Sequence, residues 1–347
     1  MPFTAEQLVT GANYALNTYQ KKEPVDQINV KHVALDWLVR HKENATFGNG
    51  YFKTPVYYDN GSNYQNYFGA DQVTYNERDP AKWAEYAYYN NHDGFWFDED
   101  RLAANGIILT DDRNSVQSEA EKFQLINLLQ QSYRGLKNGI QAAMAFELYR
   151  DGSQSTKACP GIEHIIDWTP TVGTVGGIDA ATYTWWQNNA QTGLTAANIV
   201  AEMEESWMDC MKFGGELPDK IVAGRTMYEA YRQYANATVD RFNTSSGNQK
   251  GGVSVDAATN QLNFHGVPVE WDPTLDELDA LLATTTRTKT MYFLNSKRIT
   301  LRPMQGQWMV NRKPERLPDR YVHYFGQTSK YSLTTDKRNA LAVLQLA

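Results

Sequence analysis

The chain has 347 residues, of which 41% are hydrophobic and 21% charged, and its formal net charge is -7. This composition is globular and excludes a disordered chain. A mean hydropathy of -0.58, without an apolar run near ~18 residues, excludes a membrane-spanning helix. Cys159 and Cys210 form no CxxC pair, so neither a zinc site nor a disulfide framework is indicated. No basic leader precedes an apolar stretch at the N-terminus, which argues against a secretory signal.

The charge is distributed unevenly along the chain. Residues 297–338 hold ten Lys or Arg against three Asp or Glu, whereas residues 93–121 hold eight acids against two arginines. Such asymmetry favours mating surfaces of opposite sign, within one chain or between copies. The alternative is that these charges are solvated and have no assigned partner.

The first predicted helix runs from Pro24 to Lys42. Apolar residues and one histidine recur every three or four positions along it, and form a single stripe: Val25, Ile28, His32, Leu35 and Val39. We expect His32 to be a packed core residue. The residues before this helix are predicted to form an arm of weak helical character.

An unusual aromatic segment follows, in which 15 of the 47 residues from Tyr51 to Phe97 are Tyr, Trp or Phe. Alternation over 82–89 predicts a strand with Ala84 and Tyr86 on one face and Trp83 on the other, and Asn60-Gly61 predicts a hairpin turn. With almost no aliphatic residues, this segment cannot easily build its own core. We interpret it as a two-stranded arm that packs on neighbouring copies; the alternative is an ordinary aromatic-rich sheet.

A long helix is predicted next, from a cap at Ser115 to Leu148, because apolar residues keep a three- or four-residue spacing throughout. About 33 residues would form a rod of about 50 Å. Gly135 and Gly139, one turn apart, indicate close packing of another element or a bend.

The rest of the chain mixes helices and strands without strict βαβ alternation, which predicts the α+β class. We expect helices over 195–212 and 226–235. Strands are expected over 220–224, 262–271 and 291–295, with further strands up to Leu346.

No residue pattern indicates catalysis, a cofactor or a bound metal. The six histidines are well separated, and the oxygen-rich stretch from His92 to Asp100 lacks EF-hand spacing and favours a structural hairpin end over a cation site. The glycine-rich run at 173–177 fits no phosphate-binding motif, and adjacent Glu204 and Glu205 would diverge by about 100° on a helix. The sequence therefore predicts a protein that is not an enzyme.

Four motifs in order carry a resemblance: Gly173-Thr-Val-Gly-Gly-Ile-Asp179 followed by Trp185-Trp186 and Asn188; Pro218–Gly224; Gly266–Pro273; and Tyr292–Asn295. Together with the order of arm, aromatic loop, long helix and mixed domain, they resemble the major capsid proteins of tailed bacteriophages, which have the Hong Kong 97 fold. The resemblance spans nearly the whole chain.

The resemblance implies five regions: an N-terminal arm (1–42), an extended loop (43–105), a peripheral domain with a spine helix (106–157), an axial domain (158–290), and C-terminal strands (291–347). These strands would return to the peripheral domain, with the last one completing the axial sheet. It further implies self-assembly through pentamers and hexamers into an icosahedral head around double-stranded DNA, bound without sequence specificity. The protein would be made in the host cytoplasm and end in the virion, with portal, scaffold and cement or decoration proteins as partners and no membrane.

Two departures from the family's pattern favour a separate scaffold protein and argue against covalent cross-linking. No long charged segment precedes the arm, and no Lys–Asn–acid trio can be matched. The predicted contacts between subunits lie in the aromatic segment and in two oppositely charged stretches: Tyr57, Tyr58, Tyr67, Phe68, Trp83, Tyr86, Tyr88, Asp98, Asp100, Arg312 and Arg316.

Two other readings stay open. A cellular nanocompartment shell of the same fold would carry a cargo-binding pocket, which the sequence cannot show. A carbohydrate-binding or glycan-cleaving protein would use the exposed Tyr and Trp side chains between residues 51 and 97, but it would need an acid pair and usually export.

Overall fold

The structure is a computed structural model. It describes residues 29–47, 49–98, 100, 119–213, 215–238, 249–250, 253–256, 261–312 and 322–347. The chain divides into two units, residues 1–30 and residues 31–347. Only Asn29 and Val30 of the first unit are described, so the elements below all belong to the second.

Helices and strands alternate irregularly along the chain. The helices are α1 (Val33–Arg40), α2 (Glu119–Tyr149), α3 (Ile162–Ile165), α4 (Ile199–Lys212), α5 (Arg225–Thr238) and α6 (Pro273–Leu282), with 3-10 turns at Thr184–Trp186 and Arg338–Ala340. The first strands are β1 (Tyr51–Tyr57), β2 (Ala81–Ala87), β3 (Tyr89–Asp98), β4 (Thr174–Val175), β5 (Ile178–Asp179), β6 (Asn189–Leu194), β7 (Lys220–Ala223) and β8 (Gln249–Lys250). The remaining strands are β9 (Val253–Asp256), β10 (Gln261–Phe264), β11 (Val267–Trp271), β12 (Thr290–Leu294), β13 (Ile299–Pro303), β14 (Val310–Arg312), β15 (Val322–Thr335) and β16 (Ala342–Leu346).

The largest sheet has the strand order β6-β16-β12-β7-β11-β10-β9-β8. Its central strands β7 and β12 are buried at every position, because helices or other core elements cover both faces. Ile221 and Phe293 face a core shared with α4 and α5, whereas Val222 and Tyr292 face a second core shared with α2 and α6. This alternation is the period-two pattern of a strand buried on both sides.

A four-stranded sheet is built around β15, a strand of 14 residues. β15 pairs antiparallel with β3 over ten positions, from Val322↔Asp98 to Tyr331↔Tyr89, and on its other side with β13 and β14. More than 220 residues of chain separate the two partners of the longest ladder, so this pairing is non-local.

The predicted long helix is confirmed as α2, whose 31 residues give a rod of about 46 Å. Its inward face is the row Leu136, Ile140, Met144 and Leu148, all buried. Of the two alternatives predicted for Gly135 and Gly139, close packing or a bend, close packing does not occur at Gly135, where a Cβ would meet nothing within 4 Å. At Gly139 a Cβ would lie 3.5 Å from the Asp93 carboxylate of β3, an ordinary contact. Ser115 lies outside the described residues.

Of the helix predicted from Pro24 to Lys42, residues 24–28 lie outside the described residues; within the described part, α1 begins after His32. The Nδ1 atom of His32 lies 2.8 Å from the Thr274 hydroxyl, so this histidine bonds at the helix entrance and does not sit on the predicted stripe. The neighbouring Asp272 is fully buried and accepts hydrogen bonds from the backbone N–H groups of Ala34 and Thr274 and from the Tyr149 hydroxyl. One carboxylate thereby joins α1, α2 and α6.

Two strands lie across the predicted region boundaries. β3, within the predicted extended loop of 43–105, pairs with β15 in the four-stranded sheet. β12 lies in the eight-stranded sheet between β16 and β7, so the predicted boundary at residue 290 falls within a strand of that sheet. A strand's partner depends on long-range pairing, which local sequence patterns do not report.

Candidate interaction surface

The two-stranded segment Tyr51–Ala87, hereafter the extended loop, has a regular base and a long connection. β1 and β2 pair antiparallel from Tyr51↔Ala87 to Tyr57↔Ala81, and residues 58–80 connect them. On the inner face of this ladder Val56, Ala84 and Tyr86 are buried. The alternation predicted for the second strand is confirmed, with Trp83 on the opposite, exposed face.

The base of the extended loop rests on the glycine-rich run that sequence motifs singled out. β4 and β5 form a tight hairpin whose turn residues Gly176 and Gly177 have φ values of 59° and 76°, the left-handed conformations that a type I′ turn requires. The Glu85 N–H donates to the Gly176 carbonyl over 2.9 Å. The run is therefore a structural seat for the extended loop.

Tyr86 fixes the base more deeply. Its side chain is buried, and its hydroxyl donates to the Thr335 carbonyl at the end of β15 over 2.7 Å. Burial raises the pKa of this hydroxyl, so it stays protonated and keeps donating. Tyr86, predicted to contact another subunit, thus has a hydrogen-bond partner within its own chain.

A second anchor lies where the strands of the base end. The Tyr58 ring stacks on the Trp185 ring with centroids 5.1 Å apart, and the Lys82 ammonium lies 3.4 Å from the centre of the Tyr183 ring. Tyr58, predicted to contact a neighbouring subunit, thus already has a stacking partner within its own chain. Both contacts join the extended loop to the segment that follows the β4–β5 hairpin.

Beyond these anchors the chain runs out and back as two legs. The Asn63 amide donates to the Thr74 carbonyl, and the Asn76 amide donates to the Gly61 carbonyl over 3.1 Å. The chain reverses at Phe68–Asp71, where the Phe68 N–H donates to the Asp71 carboxylate over 2.9 Å. The hairpin turn predicted at Asn60-Gly61 is wrong: the Gly61 N–H only donates to the Asp59 carboxylate there, and the connection turns at Phe68–Asp71.

The outer part of the extended loop exposes large aromatic side chains. The fractional exposures are 85% for Tyr64, 68% for Tyr67, 89% for Phe68 and 93% for Tyr75. Tyr57 and Trp83 add 76% and 59% on the outer face of the base. Residues 59–79, hereafter the loop tip, carry four acids and one arginine, which gives a net charge of -3. Contiguous exposed apolar surface of this kind marks interaction sites.

The four-stranded sheet carries a second exposed aromatic site. A groove of about 470 Å³ is lined by His92, Trp96, Tyr324 and Arg312, and Trp96 is 57% exposed. The His92 ring lies over Gly326, where a Cβ would stand 2.7 Å from Nε2. The groove therefore leaves this part of the sheet surface open.

The remaining predicted contact residues have varied surroundings. Tyr88 is half-buried, with the Phe47 ring 5.7 Å from its own and the Lys330 ammonium 5.7 Å from its centre. Arg312 is exposed and donates to Thr328 and Gln307 of its own chain. Arg316 lies outside the described residues.

Asp98 and Arg312 lie on the same sheet but are too far apart to pair within one chain. Arg312 is opposite Gly326, which is opposite Gly94, so Asp98 is four positions further along the ladder. Two strand spacings and four residues place the Cα atoms about 16 Å apart. Asp100, two residues beyond the end of β3, is exposed.

Among the described residues, no group of three or more His, Cys, Asp or Glu could hold a metal ion. Nor is any helix in this part of the chain long and apolar enough to cross a membrane. Residues 92–98, considered as a cation loop, lie in strand β3. Both cysteines are buried, and burial raises the pKa of the Cys210 thiol to about 12, so it is not a reactive thiolate.

Solved structures of shell-forming proteins share this fold. The capsid asymmetric unit of cyanophage A-1(L) is 13% identical, with a TM-score of 0.57 over 96% of this chain and 98% of that one. The capsid of Myoviridae phage XM1 is 12% identical, with a TM-score of 0.57 and the same coverage. The SrpI encapsulin of Synechococcus elongatus PCC 7942 is 13% identical, with a TM-score of 0.51 over 99% of this chain and 96% of that one.

These likenesses confirm the predicted α+β fold and its resemblance to the capsid proteins of tailed phages. No family model and no curated protein matches the chain.

Proposed function

We propose that the chain is the major capsid protein of a tailed bacteriophage, a structural subunit without enzymatic activity. Its copies assemble through pentamers and hexamers into an icosahedral head that encloses double-stranded DNA. The observation that carries this proposal is the extended loop: its base is clamped to its own chain, while its aromatic tip has no core of its own and stays exposed.

Burial of a single loop tip stabilises an association of two copies only marginally, so several such contacts must close into a ring. Full burial of each of four aromatic side chains contributes about 1.5–3 kcal/mol, or roughly 6–12 kcal/mol for one loop tip. Association costs about 4–15 kcal/mol in lost freedom, so a single contact is marginal. In a closed ring each copy both donates a loop and receives one, so cooperative contacts stabilise the particle.

Charge favours a second contact between copies, formed by the four-stranded sheet. The basic stretch 312–320 and the acids Asp98 and Asp100 carry opposite charges, and Arg312 cannot pair with Asp98 within one chain, because their Cα atoms are about 16 Å apart. In the assembled shell the two stretches pair across subunits, beside exposed Trp96. Charge complementarity of this kind selects the correct partner and its register more than it adds affinity.

Charge reversal with rescue tests this second contact. Arg312→Glu together with Arg316→Glu should impair assembly, and adding Asp98→Lys with Asp100→Lys should restore part of it. Sedimentation at two salt concentrations measures both effects, because exposed pairs weaken as ionic strength rises. Unchanged assembly in the first variant would dispose of the pairing.

The proposal extends to the phage context. DNA would be held without base-specific contacts, which suits a chain of net charge -7 whose inner wall must not grip its contents. Portal, scaffold and cement or decoration proteins would complete the head. As a capsid protein, the chain would be made in the host cytoplasm and would end in the virion.

A deletion in the loop tip tests the proposal. The legs meet where Asn76 bonds to Gly61, so residues 60–76 can be replaced by two glycines without stretching the base. Electron microscopy should find closed shells for the full chain, and unassembled subunits with an unchanged fold for the deletion variant. Normal shells from the deletion variant would remove the role of the loop tip.

A cellular nanocompartment shell is the second candidate, favoured by the full-length likeness to the SrpI encapsulin. The two readings differ in what the particle contains. Particles purified from a cell that carries the whole genetic locus should hold double-stranded DNA if this is a phage head, and a protein cargo if it is a nanocompartment. The absorbance ratio at 260 and 280 nm and a nuclease digest of opened particles separate the two.

A further inference from the structure

In the hairpin on which the extended loop rests, Gly176 is packed tightly against β2. A Cβ on Gly176 would lie 3.0 Å from both Cζ and the hydroxyl oxygen of Tyr86 and 3.1 Å from the Ala84 Cβ. Tyr86 cannot move aside easily, because it is buried and its hydroxyl is bound to the Thr335 carbonyl. A Cβ added at this point therefore requires Tyr86 and Ala84 of β2 to shift by a few tenths of an ångström relative to the β4–β5 hairpin.

The geometry of the extended loop amplifies such a displacement. From Glu85 to the turn at Phe68–Asp71 the chain runs four residues of strand and about eleven of leg, at most about 50 Å when fully extended. A rotation of about 5° at the seat would move the turn by up to about 4 Å. That is the full distance over which apolar side chains remain in contact.

We infer that the Gly176 turn is a positioning element, which sets the angle at which the extended loop leaves its own subunit and thereby the geometry of the particle. This inference rests on the proposed function, since it concerns where the loop tip meets a neighbouring copy. Gly176 touches no other subunit in this account; it acts through Ala84 and Tyr86. Its substitution should alter the size and closure of particles more than the stability of the subunit.

Gly177 provides a matched control in the same turn. Its φ of 76° is further from the left-handed minimum near 57° than that of Gly176, so a side chain there is strained at least as much. A Cβ on Gly177, however, would meet nothing within 4 Å. Gly176→Ala and Gly177→Ala therefore share the backbone strain and differ in the clash with the extended loop.

The experiment compares full-length wild type, Gly176→Ala and Gly177→Ala by electron microscopy and sedimentation, with thermal unfolding of the subunits as a check on the fold. Gly176→Ala should lower the fraction of particles of wild-type diameter at least tenfold, whereas Gly177→Ala should stay within twofold of wild type. Equal diameter distributions for the two variants would overturn the inference. If wild type itself forms no particles, the proposed function fails, and this inference fails with it.

A second variant covers the case in which Gly176→Ala does not fold. Tyr86→Phe removes only the hydroxyl that binds the Thr335 carbonyl and adds no atom, so the base is loosened without a clash. It should lower the fraction of particles of wild-type diameter at least threefold and raise hydrogen exchange in residues 81–87. Tyr228→Phe, in α5 and outside the extended loop, is its control. Wild-type particles from Tyr86→Phe, with faster exchange at its base, would contradict the positioning role.

Discussion

Substitution of Phe68 isolates the contribution of the loop tip to assembly. Its side chain is 89% exposed in the subunit, so Phe68→Ala should leave the free energy of unfolding unchanged. In the shell the same ring would be covered by a neighbouring copy, and the loss of that burial should cost about 2–3 kcal/mol per contact. At 1.4 kcal/mol for each factor of ten, the contact equilibrium weakens about 30-fold or more.

The assay is the critical concentration for assembly, measured by light scattering of purified subunits. Phe68→Ala should raise it about 30-fold, with the same denaturant midpoint as wild type. Leu281→Ala is the control, because Leu281 is an apolar residue of α6 that is also exposed, at 67%, but lies outside the extended loop. An unchanged critical concentration for Phe68→Ala, or an equal rise for Leu281→Ala, would refute the reasoning.

Polar groups offer three independent tests of the fold. Asp272→Ala leaves three buried donors without their acceptor and should lower the free energy of unfolding by at least about 3 kcal/mol in urea titrations. Arg287→Ala strands buried Glu163 and should cost about 3–5 kcal/mol, whereas Arg225→Ala, at an exposed i,i+4 pair, should cost at most about 0.5 kcal/mol. Hydrogen bonds from the Arg298 guanidinium lower the pKa of the Glu216 carboxyl. Ionised Glu216 therefore stabilises the fold fully above the ordinary Glu pKa of about 4.3, and this stabilisation is lost as the pH falls through the lowered pKa. Glu216→Gln should therefore be destabilised at neutral pH and approach wild type in acid. A difference that does not depend on pH, or equal costs for Arg287→Ala and Arg225→Ala, would contradict these assignments.

Sequence patterns predicted those elements whose residue spacing is set by the element itself, such as a helix turn or the alternation of a strand. The helix α2 follows from a three- and four-residue spacing that its own turns enforce, and the row Leu136, Ile140, Met144 and Leu148 is buried as that spacing requires. The alternation over 82–89 likewise separated Tyr86 from Trp83. It could not tell which face would be inside, since that depends on the hairpin at Gly176, about 90 residues away.

Long-range pairing was the part that the sequence could not predict. β3 shares the aromatic composition of the extended loop, yet it pairs with β15 over ten positions and belongs to the four-stranded sheet. The most buried side chain of β3, Phe97, is indistinguishable in sequence from exposed Phe68. Two glycines in the sequence do point to this pairing. Gly94 lies opposite Gly326, and a Cβ at Gly94 would stand 2.6 Å from the Phe325 carbonyl, so each glycine marks a position where the two strands leave no space for a side chain.

The central claim is that the exposed aromatic loop tip is buried on another copy of the chain. A cryo-electron microscopy reconstruction of purified particles measures this directly. We expect a closed shell in which Tyr64, Tyr67, Phe68 and Tyr75 of each subunit lie against a neighbour while Tyr86 keeps its bond to the Thr335 carbonyl. A particle in which those four rings face solvent, or a chain that remains a 39.4 kDa monomer at every concentration, would contradict it.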